Sequence, residues 1–120
     1  MPDAKYLNPD SSKEYSSAHN YPDVMKLALQ EMHKQVGDLE IKDGVAIRGL
    51  LARHLVMPGN VACSKEIMDF IVNEVSRNSF VNIMEQYRPT FNAYNYPEIN
   101  RPVTRQEFSK VCEYAKSQGL

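Results

Sequence analysis

The sequence predicts a small α/β domain built on a parallel sheet with helical crossovers. Three observations carry this expectation. Apolar residues recur at helical spacing in three separate stretches, two short β-prone runs lie between them, and the inferred order is strand, helix, hairpin, strand, helix, strand, helix. At 120 residues and 42% hydrophobic, the chain has the size and composition of one unit with a single core.

The opening Met1-Pro-Asp-Ala-Lys-Tyr6 has no helix start signal and reads as the tail of a strand, an abrupt opening that suits an internal start within a longer gene product. Asn8-Pro-Asp-Ser-Ser12 is a cluster of turn and cap formers. Pro22 fits a first-turn position, and Met25, Leu29, Met32 and Val36 predict a helix over 22–36 that Gly37 closes. Asp43-Gly44 separates two β-prone runs within Leu39–Ile47, which predicts a hairpin. Leu50–Met57 reads as a strand apolar enough to be buried on both faces, ended by Pro58-Gly59.

Ser64 is a plausible N-cap for a helix whose stripe is Ile67, Met68, Ile71, Val72 and Val75. Arg77-Asn-Ser79 is turn-prone, and Phe80–Met84 is the next strand. Arg88 to Val103 has no periodic signal and is long for a loop in a compact domain. Thr104 and Glu107 have capping-box spacing before a last helix with the stripe Phe108, Val111, Cys112 and Ala115, ending near Gly119. Three principal strands with helices on one side make a half-built sheet, and the outer edge of the first strand is expected to be unpaired.

Fourteen Lys and Arg against fifteen Asp and Glu give a formal charge of -1, so no summed field attracts a nucleic-acid backbone or an anionic membrane. No apolar run approaches the roughly 20 residues that span a bilayer, and a cytoplasmic chain is expected. Cys63 and Cys112 lie far apart and read as reduced thiols. No Ser, His and acid arrangement carries an elbow motif, and no glycine-rich phosphate loop is present. The methionines Met25, Met32, Met57, Met68 and Met84 sit at core-like positions.

Ligands of open parallel sheets bind at the carboxyl ends of strands, so three such ends draw attention. Asp3 and Lys5, two residues apart, point to the same face of an extended segment, as a solvated pair or as ligand contacts. Arg53 sits inside an apolar strand and needs either solvent or an anionic partner, which could be a ligand carboxylate or a protein one such as Asp3. His54 falls on the opposite face and reads as a hydrogen-bonded packing residue rather than a metal ligand. At the third end, Glu85, Gln86, Tyr87 and Arg88 follow an apolar run abruptly; they could orient a polar ligand or simply run into water.

Three phrases in order, Arg53-His-Leu-Val-Met-Pro-Gly59, Val81-Asn-Ile-Met-Glu-Gln-Tyr-Arg-Pro89 and Tyr96-Pro-Glu-Ile-Asn-Arg-Pro-Val-Thr-Arg-Gln-Glu107, resemble the second half of radical S-adenosylmethionine (SAM) proteins related to pyruvate formate-lyase activating enzymes. Met1-Pro-Asp-Ala-Lys5 resembles that family's Asp-x-Lys strand. The resemblance implies that residues 1–120 are the C-terminal half of a partial (β/α)6 barrel. It also implies a parent that cleaves SAM reductively on a [4Fe-4S] cluster to abstract hydrogen, in the activating enzymes from a glycine of a partner enzyme. The family's CxxxCxxC loop is absent from this chain, so neither cluster nor SAM turnover is expected of the chain alone. The resemblance carries Asp3, Lys5 and Arg53 over as cofactor-binding residues, with Gln86, and with Tyr87 where the activating enzyme has a His. The expected partners are the missing N-terminal half, a protein substrate, or a second copy through the exposed strand edge. The alternative reading is a non-catalytic α/β remnant that acts through protein interaction.

Overall fold

The computed structural model describes residues 1–120. Its helices are α1 (Pro9–Ser16), α2 (Tyr21–Val36), α3 (Ser64–Phe70) and α4 (Arg105–Gln118), and its strands are β1 (Glu40–Lys42), β2 (Val45–Arg48), β3 (Leu51–Leu55) and β4 (Phe80–Met84). β1 and β2 form the expected antiparallel hairpin, and β3 and β4 pair in parallel across the α3 crossover. The opening segment adds to this parallel pair through a bridge between Asp3 and Arg53, with Ala4 N–H on the Arg53 carbonyl at 2.8 Å and Arg53 N–H on the Pro2 carbonyl at 2.9 Å. The spatial order is therefore opening segment, β3, β4, all parallel.

One face of this sheet is covered. Ala52 and His54 of β3 are buried beneath the helices, and Val81 and Ile83 of β4 pack on the same core, which Met25, Leu29, Ile67, Met68 and Ile71 fill from α2, α3 and its extension. His54 ties the layer together. Its Nδ1 lies 2.6 Å from the Ala4 carbonyl and its Nε2 2.8 Å from the Ser64 hydroxyl. A carbonyl only accepts, so Nδ1 carries the proton and Nε2 accepts from Ser64. The reading of His54 as a satisfied packing residue agrees with this geometry.

Several local expectations are corrected. Asn8 is a cap former as its residue type suggests, and the helix that it caps, Pro9–Ser16, is the unexpected element; the Asn8 side chain accepts the Asp10 N–H at 2.7 Å, and Pro9 occupies the first turn. Ser64 is the first helical residue, not the cap. The cap position belongs to Cys63 in a left-handed conformation at φ 54, and the Ser64 hydroxyl is committed to His54. The helical stripe past α3 continues as one wider turn over Ile71–Val75. Met32 and Val36 of α2 are 42% and 37% exposed, so only the first half of that helix's stripe reaches the core. The strand expected over Leu50–Met57 pairs over Leu51–Leu55.

The outer edge of the opening segment is not open. The Tyr21 hydroxyl accepts the Lys5 N–H at 3.0 Å and donates to the Asp3 carbonyl at 2.7 Å, taking up two of the edge groups that face away from β3. The physical reason is that α1 turns the chain back, so that the start of α2 stands beside the edge. Gly49, between β2 and β3, has φ 103, and a Cβ there would meet the Asp38 carbonyl, so this turn admits only glycine. The Thr104–Glu107 capping box forms as expected, and Glu107 also accepts from Arg101 and from the Gly59 N–H, joining α4 to the turn after β3. These donors, the Arg101 guanidinium first, hold the Glu107 carboxyl well below the usual carboxylate range.

Burial lowers the His54 pKa from its ordinary 6.5, so the folded state prefers the neutral ring and the unfolded chain binds the extra proton. The contribution is complete above 6.5, declines as pH falls below that value, and is gone below the folded-state value. Urea melts from neutral to mildly acidic pH are expected to show this loss. His54→Phe is expected to remove it while costing about 2–4 kcal/mol at neutral pH, because the Ala4 carbonyl and Ser64 hydroxyl lose their partner. A pH profile unchanged by His54→Phe would contradict the assignment.

Tyr21→Phe keeps the ring against Tyr6, which it meets edge-on at 5.9 Å between centroids, and removes only the hydroxyl. The expected cost is about 1–2 kcal/mol, with faster amide exchange at Lys5. An unchanged Lys5 exchange rate would show that the edge is closed by something else.

Candidate functional site

Strand alternation decides where the site lies. With His54 and Ala52 turned into the core, Leu51, Arg53 and Leu55 must point to the other side of β3, and Phe80, Asn82 and Met84 do the same on β4. None of these six is fully buried, and Phe80 is 46% exposed. This face carries no helix.

A polar row crosses its centre. Arg53 Nε donates to Asp3 Oδ1 at 2.7 Å, and both side chains are 40% exposed. Asn82 stands directly opposite Arg53 in the β3–β4 register and is exposed. Asp3, Arg53 and Asn82 thus form one line over three adjacent strands, flanked by Leu51, Leu55, Phe80 and Met84. A cation, an anion and an amide held on an apolar floor can orient a ligand that carries both a carboxylate and an ammonium group.

Lys5 follows Asp3 along the same side of the extended segment and is half-buried. Gln86 lies beyond the end of β4 on the side of Met84, to whose sulfur its Nε2 donates at 3.3 Å. Tyr87 departs from the expected convergence. Its hydroxyl donates to the Ile99 carbonyl at 2.9 Å, and its ring packs with Tyr6, Met57 and Ala93 under the long loop, where burial raises its pKa. The neighbours Gln86 and Tyr87 are therefore split. The loop over Arg88 to Val103 contains a short 3-10 turn at Phe91–Asn95, and a cavity of about 240 Å³ lies beneath it, lined by Tyr6, Tyr15, Tyr87 and Tyr96.

Asn82 is the residue that the sequence reading passed over. Its signal was present: a single amide inside the apolar run Val81-Asn82-Ile83, at the position that alternation places on the face of Arg53. The two cysteines, Cys63 and Cys112, are free thiols, and burial raises the pKa of each. No three His, Cys, Asp or Glu side chains are grouped so that they could hold a metal ion. No helix is long and apolar enough to cross a membrane.

Over its whole length the chain is 35% identical to an uncharacterized protein of Methanocaldococcus jannaschii, and it spans 32% of that protein's length. No family model and no solved structure matches the chain.

An ion pair this exposed contributes little to folding, so the polar row is not what holds the sheet together. Arg53→Gln and Asp3→Asn are each expected to change unfolding free energy by less than about 1 kcal/mol. Urea denaturation checks this. A loss several times larger would make the pair a structural element rather than a surface kept for a ligand.

Proposed function

We propose that the chain forms the SAM-facing wall of a radical SAM protein resembling the pyruvate formate-lyase activating enzymes, as the C-terminal half of a partial (β/α)6 barrel. The observation that carries this reading is the Asp3–Arg53–Asn82 row on a sheet face without a helix. A parallel sheet is normally covered on both faces, and a barrel covers one of them with its own far wall. The 35% identity to about a third of a longer archaeal protein supports a larger parent that supplies such a wall.

The residues fit one of the two implied groups. In SAM the methionine end carries a carboxylate, which suits the two parallel donors of Arg53, and an ammonium, which suits Asp3. Asn82, Lys5 and Gln86 lie on the same side of the sheet and supply further donors, while Tyr87 serves to anchor the loop after β4 through Ile99. Reduced by one electron from the parent's cluster, SAM would supply a carbon-centred radical for hydrogen abstraction; the residues of this chain would bind and orient it. An iron-sulfur cluster does not fit the donor set, because two free cysteines on α4 and before α3 cannot provide three thiolates. Its ligands in the proposed parent lie outside these 120 residues. A glycine of a partner enzyme is the substrate class that the resemblance suggests, and a reducing cytoplasmic setting suits the free thiols.

Titration of SAM into the chain, read by NMR shifts of the Arg53 Nε–H and the Asn82 amide, tests the reading. Saturable binding is expected, weakened about tenfold or more in Arg53→Gln, the equivalent of one charge-assisted pair. Anaerobic iron and sulfide reconstitution of the same chain is expected to give no stable visible chromophore. Binding that is indifferent to Arg53→Gln, or absent, would contradict the proposal.

A further inference from the structure

The hairpin is the least covered part of the molecule. Every residue of β1 and of β2 is exposed, including Ile41 at 56%, Val45 at 63% and Ile47 at 60%. β1 and β2 form a sheet of their own, so each has one neighbour and one free edge. A free strand edge presents unpaired backbone groups and is a template for another strand.

The two edges differ. β1 pairs with β2 through Ile41↔Ala46 and Glu40↔Arg48, so Ile47 is the extra residue and β2 is the bulged strand. A bulge twists its own strand and blunts pairing there, which leaves β1 as the regular edge. The pair flanking the two-residue turn, Lys42 and Val45, exchanges its backbone bonds inward. The next residue, Ile41, therefore directs its N–H and C=O outward.

The sequence on that edge is complementary to itself. In an antiparallel pairing of two β1 strands centred on Ile41, each Ile41 exchanges both backbone bonds with its copy. Glu40 then stands opposite Lys42 of the second copy, and Lys42 opposite Glu40, with one two-fold axis between them. Opposite charges directly across an antiparallel pair attract, and like charges repel. We infer that β1 is a self-association edge, which joins two copies of this chain through a four-stranded antiparallel sheet β2–β1–β1–β2. This inference stands apart from the proposed SAM site, because the hairpin and the polar row belong to different sheets.

Sedimentation of the 120-residue chain over a wide concentration range, with charge reversals on β1, tests it. Glu40, Ile41 and Lys42 are exposed, so the substitutions leave the core untouched. The wild-type chain is expected to pass reversibly from monomer to dimer. Glu40→Lys places like charges opposite one another and is expected to weaken association about tenfold or more. The double variant Glu40→Lys/Lys42→Glu restores opposite pairs and is expected to restore the dimer, as is an equimolar mixture of Glu40→Lys with Lys42→Glu. A monomer at every concentration, an association unaffected by Glu40→Lys, or a double variant no stronger than the single one would each overturn the inference.

Discussion

The imidazole of His54 is the point on which the arrangement depends. It takes the Ala4 carbonyl on one side and the Ser64 hydroxyl on the other, so one ring joins the opening segment, β3 and the start of α3. Buried and neutral, it must keep both partners, since either one left alone in the core costs more than the bond itself returns. The consequence reaches the far side of the sheet. Because His54 points inward, its neighbour Arg53 points outward, and because Ala4 is held against β3, Asp3 stands beside that guanidinium. The candidate site is the reverse face of a structural hydrogen bond.

Other polar contacts do comparable work at the margins. Glu107 caps α4 and at the same time receives the Gly59 N–H, so the helix and the turn after β3 share one carboxylate. The Tyr21 hydroxyl closes the outer edge of the opening segment, which lets a short parallel strand with a single bridge persist. With that edge occupied, the exposed strand edge of the molecule is that of the hairpin. The site and the inferred association surface are thus separated by construction of the fold: the parallel sheet presents a face, the hairpin an edge.

Much of this was legible in the sequence wherever the signal was local. The Pro22 start and Gly37 end of α2, the Asp43-Gly44 turn, the Phe80–Met84 strand and the Thr104–Glu107 box each announce themselves within a few residues. Alternation also placed Arg53 opposite His54. What escaped was set by partners distant in sequence or by polar residues with no periodic stripe. α1 is a helix of Pro, Asp, Ser, Lys, Glu and Tyr, held by the Asn8 cap, and periodicity is blind to it. Cys63 is left-handed just before Ser64, whose hydroxyl is bound by His54 ten residues away. Tyr87 turns from the site because Ile99 offers it a carbonyl, and no local pattern in Gln86-Tyr87-Arg88 reveals that.

One face of the parallel sheet is buried and the other is open, with Arg53 at its middle. The most direct measurement is side-chain NMR with a soluble paramagnetic probe. Strong broadening is expected for the side chains of Leu51, Leu55, Phe80 and Met84, while Leu29, Ile67 and Met68 stay sharp. Equal protection of the two sets would contradict it, because the face assigned to the ligand would then already be covered by the chain itself.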